Sequence, residues 1–280
     1  MKDATHTAPS TAQPATVALF ISDLHLQASM PHTAEAFFSF LRDHARHTQQ
    51  LYLLGDIFEY WAGDDDLTPF NQQVIDALRN ISDSGVELFW TSGNRDFLVS
   101  SKFADACGLQ ILPDPFIADF ANIGGQKIIL THGDALCTDD LAYMAFRAQV
   151  RQPDWQREFL ARPLEQRKAI IAGLRQGSRD AQREKTEAIM DVNEGAVGAL
   201  FEVSGTDTMI HGHTHRPARH LKMNNDVERI RYVLPDWDCD GEEKRGGWIA
   251  VTRDGAIERV GLDGLTHAWI EALDPADDKP

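Results

Sequence analysis

The chain has 280 residues, 42% of them hydrophobic, enough for a sizeable core and too many for an intrinsically disordered protein. Its formal net charge of −16 repels polyanions and argues against a general nucleic-acid-binding role. Three widely spaced cysteines, Cys107, Cys137 and Cys239, give neither a disulfide framework nor a C-x-x-C pair and point to a reducing compartment.

In chain order, residues 1–16 are small and polar, lack the apolar stretch of a secretion signal and are expected to form a disordered tail. Val17–Ile21 is a short apolar run that reads as a buried strand and ends in Ser22-Asp23-Leu24-His25. A helix is expected over Ala34–Arg46, with Thr33 as its cap and Phe37, Phe38 and Leu41 on one side. Leu51–Leu54 is a second strand-like run and ends in Gly55-Asp56. Asp64-Asp65-Asp66 reads as a solvated turn. Another helix follows Pro69, carries Val74, Ile75 and Leu78, and stops before Gly85. Val86–Trp90 leads to Gly93-Asn94-Arg95-Asp96, and a helix is expected from Phe97 to Gly108.

Lys127–Leu130 leads to Thr131-His132-Gly133-Asp134. From about 136 to 200 the chain is strand-poor and helical in composition, and reads as an insertion. Between Leu141 and Met190 it holds ten Lys and Arg against six Asp and Glu, a local excess of +4 in an acidic protein. Thr208–Ile210 leads to His211-Gly212-His213-Thr214-His215. Strand-like runs at Arg229–Leu234, Gly247–Thr252 and Ala256–Val260 suggest a second sheet packed on the first, and residues 274–280 read as a loose tail. Strand–helix alternation predicts an α/β layered domain over 17–273. No apolar run approaches the roughly 18 residues of a membrane span, so the chain is expected to be soluble or to sit on a membrane surface.

Five polar fragments follow apolar runs, at the strand ends where α/β sheets bind ligands. They supply Asp23, His25, Asp56, Asn94, His132, His213 and His215, seven oxygen and nitrogen side chains that suit two Mn, Fe or Zn ions sharing one carboxylate without thiolates. Histidines at i and i+2 on a loop can straddle two ions, and Gly212 between them lets the backbone come close. His211 reads as buried and hydrogen-bonded behind the site. Asp96 and Asp134 are candidates to orient ligand histidines.

The order D-x-H, G-D, G-N-(H/R)-D, H-G-D, G-H-x-H resembles the calcineurin-like metallophosphoesterases over roughly Val17 to Val260. That resemblance implies a four-layer α/β/β/α sandwich with two mixed sheets. One ion would take Asp23, His25, Asp56 and His215. The other would take Asp56, Asn94, His132 and His213, with Asp56 and a water bridging. Position 95 departs from the usual His of the family. Arg95 either pairs bidentately with phosphate oxygens or forms a salt bridge with Asp96 or a nearby acid.

The finer motifs, Gly55-Asp56-Ile57-Phe58-Glu59-Tyr60-Trp61, Ile189-Met190-Asp191-Val192-Asn193 and His213-Thr214-His215-Arg216-Pro217 among them, are similar to the UDP-2,3-diacylglucosamine diphosphatase branch of lipid A biosynthesis. The resemblance implies two Mn2+ ions and hydrolysis to UMP and 2,3-diacylglucosamine 1-phosphate. It also implies substrate contacts by Asn94, Arg95, Asp140, Ser178, Gln182, Lys185 and His213, with Asn94 and Arg95 at the reacting phosphate. Gln182 stands where the branch has Asn. Ser178, Gln182 and Lys185 share one helical face by spacing, which is either a substrate face or an ordinary solvated one.

A lipid substrate and the local basic excess suggest peripheral docking on the cytoplasmic face of the inner membrane. Arg147, Arg151, Arg157, Arg162, Arg167 and Lys168 would meet anionic lipid, with Trp155, Phe159 and Leu160 as apolar contacts. The alternatives are an enzyme of the same fold acting on another phosphoester, such as a nucleotide, and a non-catalytic metal-binding scaffold. Oligomeric state is unmarked.

Overall fold

Side chains alternate along the apolar runs, so each strand serves two faces. A computed structural model describes residues 16–121, 125–182, 191–224 and 227–272, without the side chains of 178–182 and 224. Strands β1 (Thr16–Ile21), β2 (Gln50–Leu53), β3 (Glu87–Trp90) and β4 (Leu109–Ile111) run parallel in that spatial order. Strands β5 (Phe116–Asp119), β6 (Lys127–Thr131), β7 (Thr208–His211), β8 (Arg219–Asn224) and β9 (Val227–Val233) form a second sheet in the order β5-β6-β7-β9-β8. Within it β6, β7 and β9 are parallel and the two edge strands antiparallel.

Strands β10 (Gly247–Thr252), β11 (Ile257–Gly261) and β12 (Thr266–His267) close the chain. The late runs were expected to build the second sheet together. Only the run at 229–234 does so, as β9. β10 pairs antiparallel with β1 and extends the first sheet through β11 and β12 to seven strands. Alternation marks a strand but carries no information about which neighbour it will hydrogen-bond.

Three apolar layers follow from the alternation. Ala18, Phe20, Tyr52 and Leu54 face Ala118, Ile128, Leu130 and Ile210 between the sheets. There Tyr52 stacks on Phe20 and Phe89 at 4.9 and 4.7 Å between centroids, pairs that contribute about 1 kcal/mol each beyond the area they bury. On the other face of the first sheet Leu19, Ile21, Leu51, Leu53, Leu88 and Trp90 pack against helices α1 (Pro31–Asp43), α2 (Pro69–Asp83) and α3 (Ser101–Cys107). Outside the second sheet, Ile129 and Met209 pack on Val197 and Phe201 of an eleven-residue helix, Glu194–Ser204. The result is the expected four-layer α/β/β/α sandwich with two mixed sheets.

Local details differ from the sequence reading at helix ends. α1 begins at Pro31, not after Thr33, because proline is preorganised for a first helical turn. Thr33 instead donates its hydroxyl to Asp240 Oδ2 at 2.8 Å and accepts from Cys239 N at 2.9 Å. α3 is shorter than expected, since Ser100 precedes its first turn and 97–100 is a loop. Asp64 fixes that start by accepting from Ser100 Oγ at 2.6 Å and Phe103 N at 3.0 Å.

The stretch read as one insertion divides in two. Helices α4 (Leu141–Val150), α5 (Pro153–Leu160) and α6 (Leu164–Gln182) form a cap beside the strand ends. The helix Glu194–Ser204, α7, is part of the sandwich. The aspartate turn expected to be solvated is the cap's anchor: Arg167 pairs with Asp65 and donates to the Ala62 carbonyl, and Lys168 Nζ lies 2.7 Å from Asp66, which is 1% exposed.

Candidate metal centre

β1, β2 and β3 are adjacent and parallel, so their carboxyl ends lie side by side. The parallel neighbours β6 and β7 do the same in the second sheet. Asp23 and His25 follow β1, Asp56 follows β2, Asn94 follows β3, His132 follows β6, and His213 and His215 follow β7. The seven residues named from sequence therefore meet where the two sheets' strand ends face each other.

His213 Nδ1 and His132 Nε2 converge on Asn94 Oδ1 at 2.9 and 3.1 Å. His25 Nε2 and His215 Nε2 face each other at 3.2 Å, and His215 Nε2 is 3.4 Å from Asp23 Oδ1. Asp56 stands between these groups. Its Oδ1 lies 3.7 Å from His132 Nε2 and its Oδ2 lies 4.0 Å from His25 Nε2. Ligand atoms of Asp23, His25 and His215, and separately of Asp23, Asp56 and His132, lie within 4.8 Å of one another.

The backbone pays a conformational cost to achieve this. Asp23, His25, Asp56, His213 and His215 all have φ between 48° and 68°, the left-handed region. Among the described residues they are the non-glycine positions there, each costing of order 1 kcal/mol or more. Close approach needs glycines as well. A Cβ at Gly93 would strike Asp56 Oδ1, and one at Gly212 would strike Ser22 Oγ and Asp23 Oδ2. Backbone amides complete the frame: His213 N donates to Asp23 Oδ2 and Arg95 N to Asp56 Oδ1, both at 2.8 Å.

Charge is concentrated here. Burial would raise the Asp23 carboxyl, but His215, His132 and His25 outweigh it and hold it well below the usual range. Burial would lower His132; the charges of Asp56, Asp23 and Asp134 reverse that and push it up to about 9. Burial and then His132 push His213 down to about 4. Asp23 Oδ1 is buried with no hydrogen-bond donor aimed at it, and two imidazole nitrogens face each other beside it. Cations satisfy such a set of lone pairs, and the imidazole, carboxylate and amide donors fit Mn, Fe or Zn. The three cysteines are buried, unbridged and outside these groups.

The residues that orient the ligands are not those expected. Asp96 touches no histidine. It accepts from Ile57 N at 2.8 Å and Gly93 N at 2.9 Å, tying the second ligand loop to the third, and burial and Asp56 push it up to about 6. Asp134 bonds Tyr143 Oη at 2.6 Å and Arg147 Nε at 2.8 Å, joining α4 to the fourth loop. Orientation comes instead from the Leu54 carbonyl, 2.9 Å from His132 Nδ1, from Glu59, 3.1 Å from His25 Nδ1, and from Asp236, 3.6 Å from His215 Nδ1. Glu59 lies in the Gly55–Trp61 fragment and Asp236 just after β9, so strand-end position was the available signal. His211 is buried with Nδ1 2.8 Å from the Gly212 carbonyl and Nε2 3.1 Å from Arg231, behind the centre as expected.

Beside the ions' place opens a cavity of about 400 Å3. Glu59, Asn94 and Arg95 line its polar end, and Phe97, Phe146, Trp155, Phe159, Ile171 and Leu174 its body. Arg95 makes no ion pair among the described residues, since Asp96 is occupied by backbone amides. Asp140 accepts from Tyr143 N at 3.1 Å and so starts α4. Ser178 and Gln182 fall on α6, but their side chains, and the whole of Lys185, lie outside the described residues.

The basic residues read as a membrane contact are mostly engaged inside the protein. Arg147 pairs with Asp134, Arg151 donates to the Gly93 carbonyl at 2.9 Å, and Arg167 and Lys168 hold the aspartate turn. Composition reports their number but not their partners.

The calcineurin-like phosphoesterase family pattern matches residues 17–217. A protein named UDP-2,3-diacylglucosamine hydrolase from Aromatoleum aromaticum is 53% identical over 223 residues, 80% of this chain and 90% of that protein. One of the same name from Chromohalobacter salexigens is 46% identical over 242 residues, 86% and 95% of the two chains. Another from Cellvibrio japonicus is 46% identical, over 80% of this chain and 92% of that one. With the five-part ligand order converged on one centre between two mixed sheets, this chain belongs to the calcineurin-like phosphoesterase family.

Proposed function

We propose that this chain is a dinuclear-metal hydrolase that cleaves the diphosphate of UDP-2,3-diacylglucosamine in lipid A biosynthesis. The products are UMP and 2,3-diacylglucosamine 1-phosphate. The observation that carries the reading is the junction at Arg95, where a guanidinium without an ion pair sits between the ligand cluster and an aromatic-walled cavity. A diphosphate calls for such a donor, and two acyl chains call for such walls, at about 0.8 kcal/mol per methylene buried. The names of the three relatives agree with it.

A water oxygen bonds to the phosphorus on the uridine side. The bond from that phosphorus to the bridging oxygen breaks, and the bridging oxygen leaves on the sugar phosphate. Two divalent ions, assigned here as Mn2+, supply Lewis acidity and an ionised water when bound. Asp23, His25, Asp56 and His215 would hold one, and Asp56, Asn94, His132 and His213 the other. Glu59, Asp236 and the Leu54 carbonyl fix the ring nitrogens that face the centre. Arg95 pairs with phosphoryl oxygens, and Asn94 and His213 position the phosphate. Asp140, Ser178, Gln182 and Lys185 are assigned to the head group on the strength of the family resemblance. The domain comprises 17–273 with its cap, and it works on the cytoplasmic face of the inner membrane as a peripheral protein.

A nucleotide phosphoester would leave the aromatic cavity without a purpose, and a non-catalytic scaffold would not need all seven ligands. Product analysis decides among the three. Purified protein with Mn2+ should release UMP from UDP-2,3-diacylglucosamine, lose that activity to EDTA, and hydrolyse a simple nucleotide ester far more slowly. Preference for the simple ester, or no turnover of either, removes the assignment.

A further inference from the structure

Tyr60 lines two cavities. One is the aromatic cavity under the cap. The other, of about 460 Å3, is lined by Leu26 and Gln27 from the loop after β1, and by Phe70 and Asn71 from the start of α2. Its neighbours in sequence are the centre's own residues: His25 precedes Leu26 and Glu59 precedes Tyr60. The second cavity thus adjoins the ligand loop after β1 through Leu26 and shares Tyr60 with the lipid-compatible cavity, whose own lining holds Glu59, Asn94 and Arg95.

The two linings differ in chemistry. Arg95, Arg175 and Glu59 contribute to the first, whereas no charged residue among those described lines the second. A neutral pocket with aromatic walls and amide groups suits a neutral heteroaromatic ring rather than a phosphate. Asn71 Nδ2 is committed to the Asp66 carbonyl at 2.7 Å, which fixes the amide orientation and leaves Oδ1 as an acceptor. Among the described residues the Gln27 side chain has no hydrogen-bond partner, so both its donor and its acceptor are available.

We propose that this second cavity is the nucleoside subsite, in which Tyr60 and Phe70 flank the pyrimidine, the Asn71 carbonyl accepts from the imide N3–H, and Gln27 bonds a ring carbonyl. The proposal rests on the diphosphatase reading, and it adds a specificity. Cytosine presents a lone pair at N3, which would face the Asn71 oxygen, so uracil is selected over cytosine. A site built to bond a donor rejects the ring that lacks it, because the acceptor, covered by the bound ring, is then left unpaired.

The test compares UDP-2,3-diacylglucosamine with its CDP counterpart, using full-length protein and Mn2+. The wild type should favour the uridine compound in kcat/KM by about tenfold or more, from one hydrogen bond and one opposed lone pair. Asn71→Leu should raise KM for the uridine compound and remove the preference, while 2,3-diacylglucosamine 1-phosphate still binds. Because Asn71 also supports the 66–71 loop, Gln27→Ala serves as a second variant, and its KM for the uridine compound should rise. Equal use of both compounds by the wild type, or unchanged KM in both variants, overturns the subsite. If neither compound is hydrolysed, the diphosphatase reading has failed. The subsite is then judged by saturation-transfer NMR with uridine alone: contact that is lost in Asn71→Leu supports it, and absence of contact in the wild type overturns it.

Discussion

At the scale of single residues, the centre is governed by what stands behind the ligands. Asp236 is 6% exposed and lies 3.6 Å from His215 Nδ1, an ion-pair distance at which its charge favours the ring orientation that turns Nε2 inward. Asp236→Asn should weaken Mn2+ binding by about 10–100-fold, the usual cost of losing such a partner, read from the metal dependence of activity. Unchanged metal dependence would assign Asp236 to Arg245, which it also bonds at 3.0 Å, and not to the centre. His132 supplies a pH dependence. Without metal its pKa is about 9, and only the neutral ring can ligate. Below that pH, binding must expel its proton, so apparent Mn2+ affinity should rise as pH increases toward 9. Calorimetry at pH 7.5 in buffers of different ionisation enthalpy should register the released proton. A heat independent of buffer would contradict the assignment.

At the scale of elements, α4 acts as a brace. Its Tyr143 and Arg147 hold Asp134 on the fourth ligand loop, and Arg151, from the residue that follows α4, holds the Gly93 carbonyl next to Asn94. The Arg147–Asp134 pair is largely desolvated, with the carboxylate fully buried. Arg147→Met should cost about 2–3 kcal/mol of stability, less than the roughly 3–5 kcal/mol for breaking a fully buried pair, because Tyr143 and Arg151 still face the carboxylate. Urea denaturation measures it, and a cost under about 0.5 kcal/mol would show the brace to be unimportant. The helix positions were legible from apolar spacing at 34–46 and after Pro69. The brace was not, since Asp134 read as a histidine partner and Arg147 as a surface cation. Both readings follow from residue type alone, and only the fold brings the two side chains together.

At the scale of the whole molecule, the cap bears on membrane contact. No helix among the described residues is long and apolar enough to cross a membrane. Four of the six basic residues named from sequence are engaged internally, and Arg157 pairs with Asp154 at 2.8 Å. Exposed apolar residues remain on the cap at Leu141, Leu160 and Leu174, of which Leu141 is 77% exposed. Vesicle binding, if carried by these, depends little on salt, whereas binding carried by free cations falls steeply with it. Flotation with anionic vesicles should therefore persist from low to moderate salt. Binding that disappears on adding salt would restore the electrostatic account, and no binding at either would remove peripheral attachment.

The sequence by itself determined the layered α/β class and named the seven candidate ligands that the fold gathers. Apolar alternation and strand-end fragments are local signals, and Asp23, His25, Asp56, Asn94, His132, His213 and His215 each carry their chemistry in residue type and neighbours. Only the tertiary structure decided that β10 joins the first sheet, that Asp65 and Asp66 anchor the cap, and that Glu59, Asp236, Arg147 and Arg151 serve the centre. Those are pairings between residues far apart in the chain, and the energy of such a pair resides in a distance that no stretch of sequence contains.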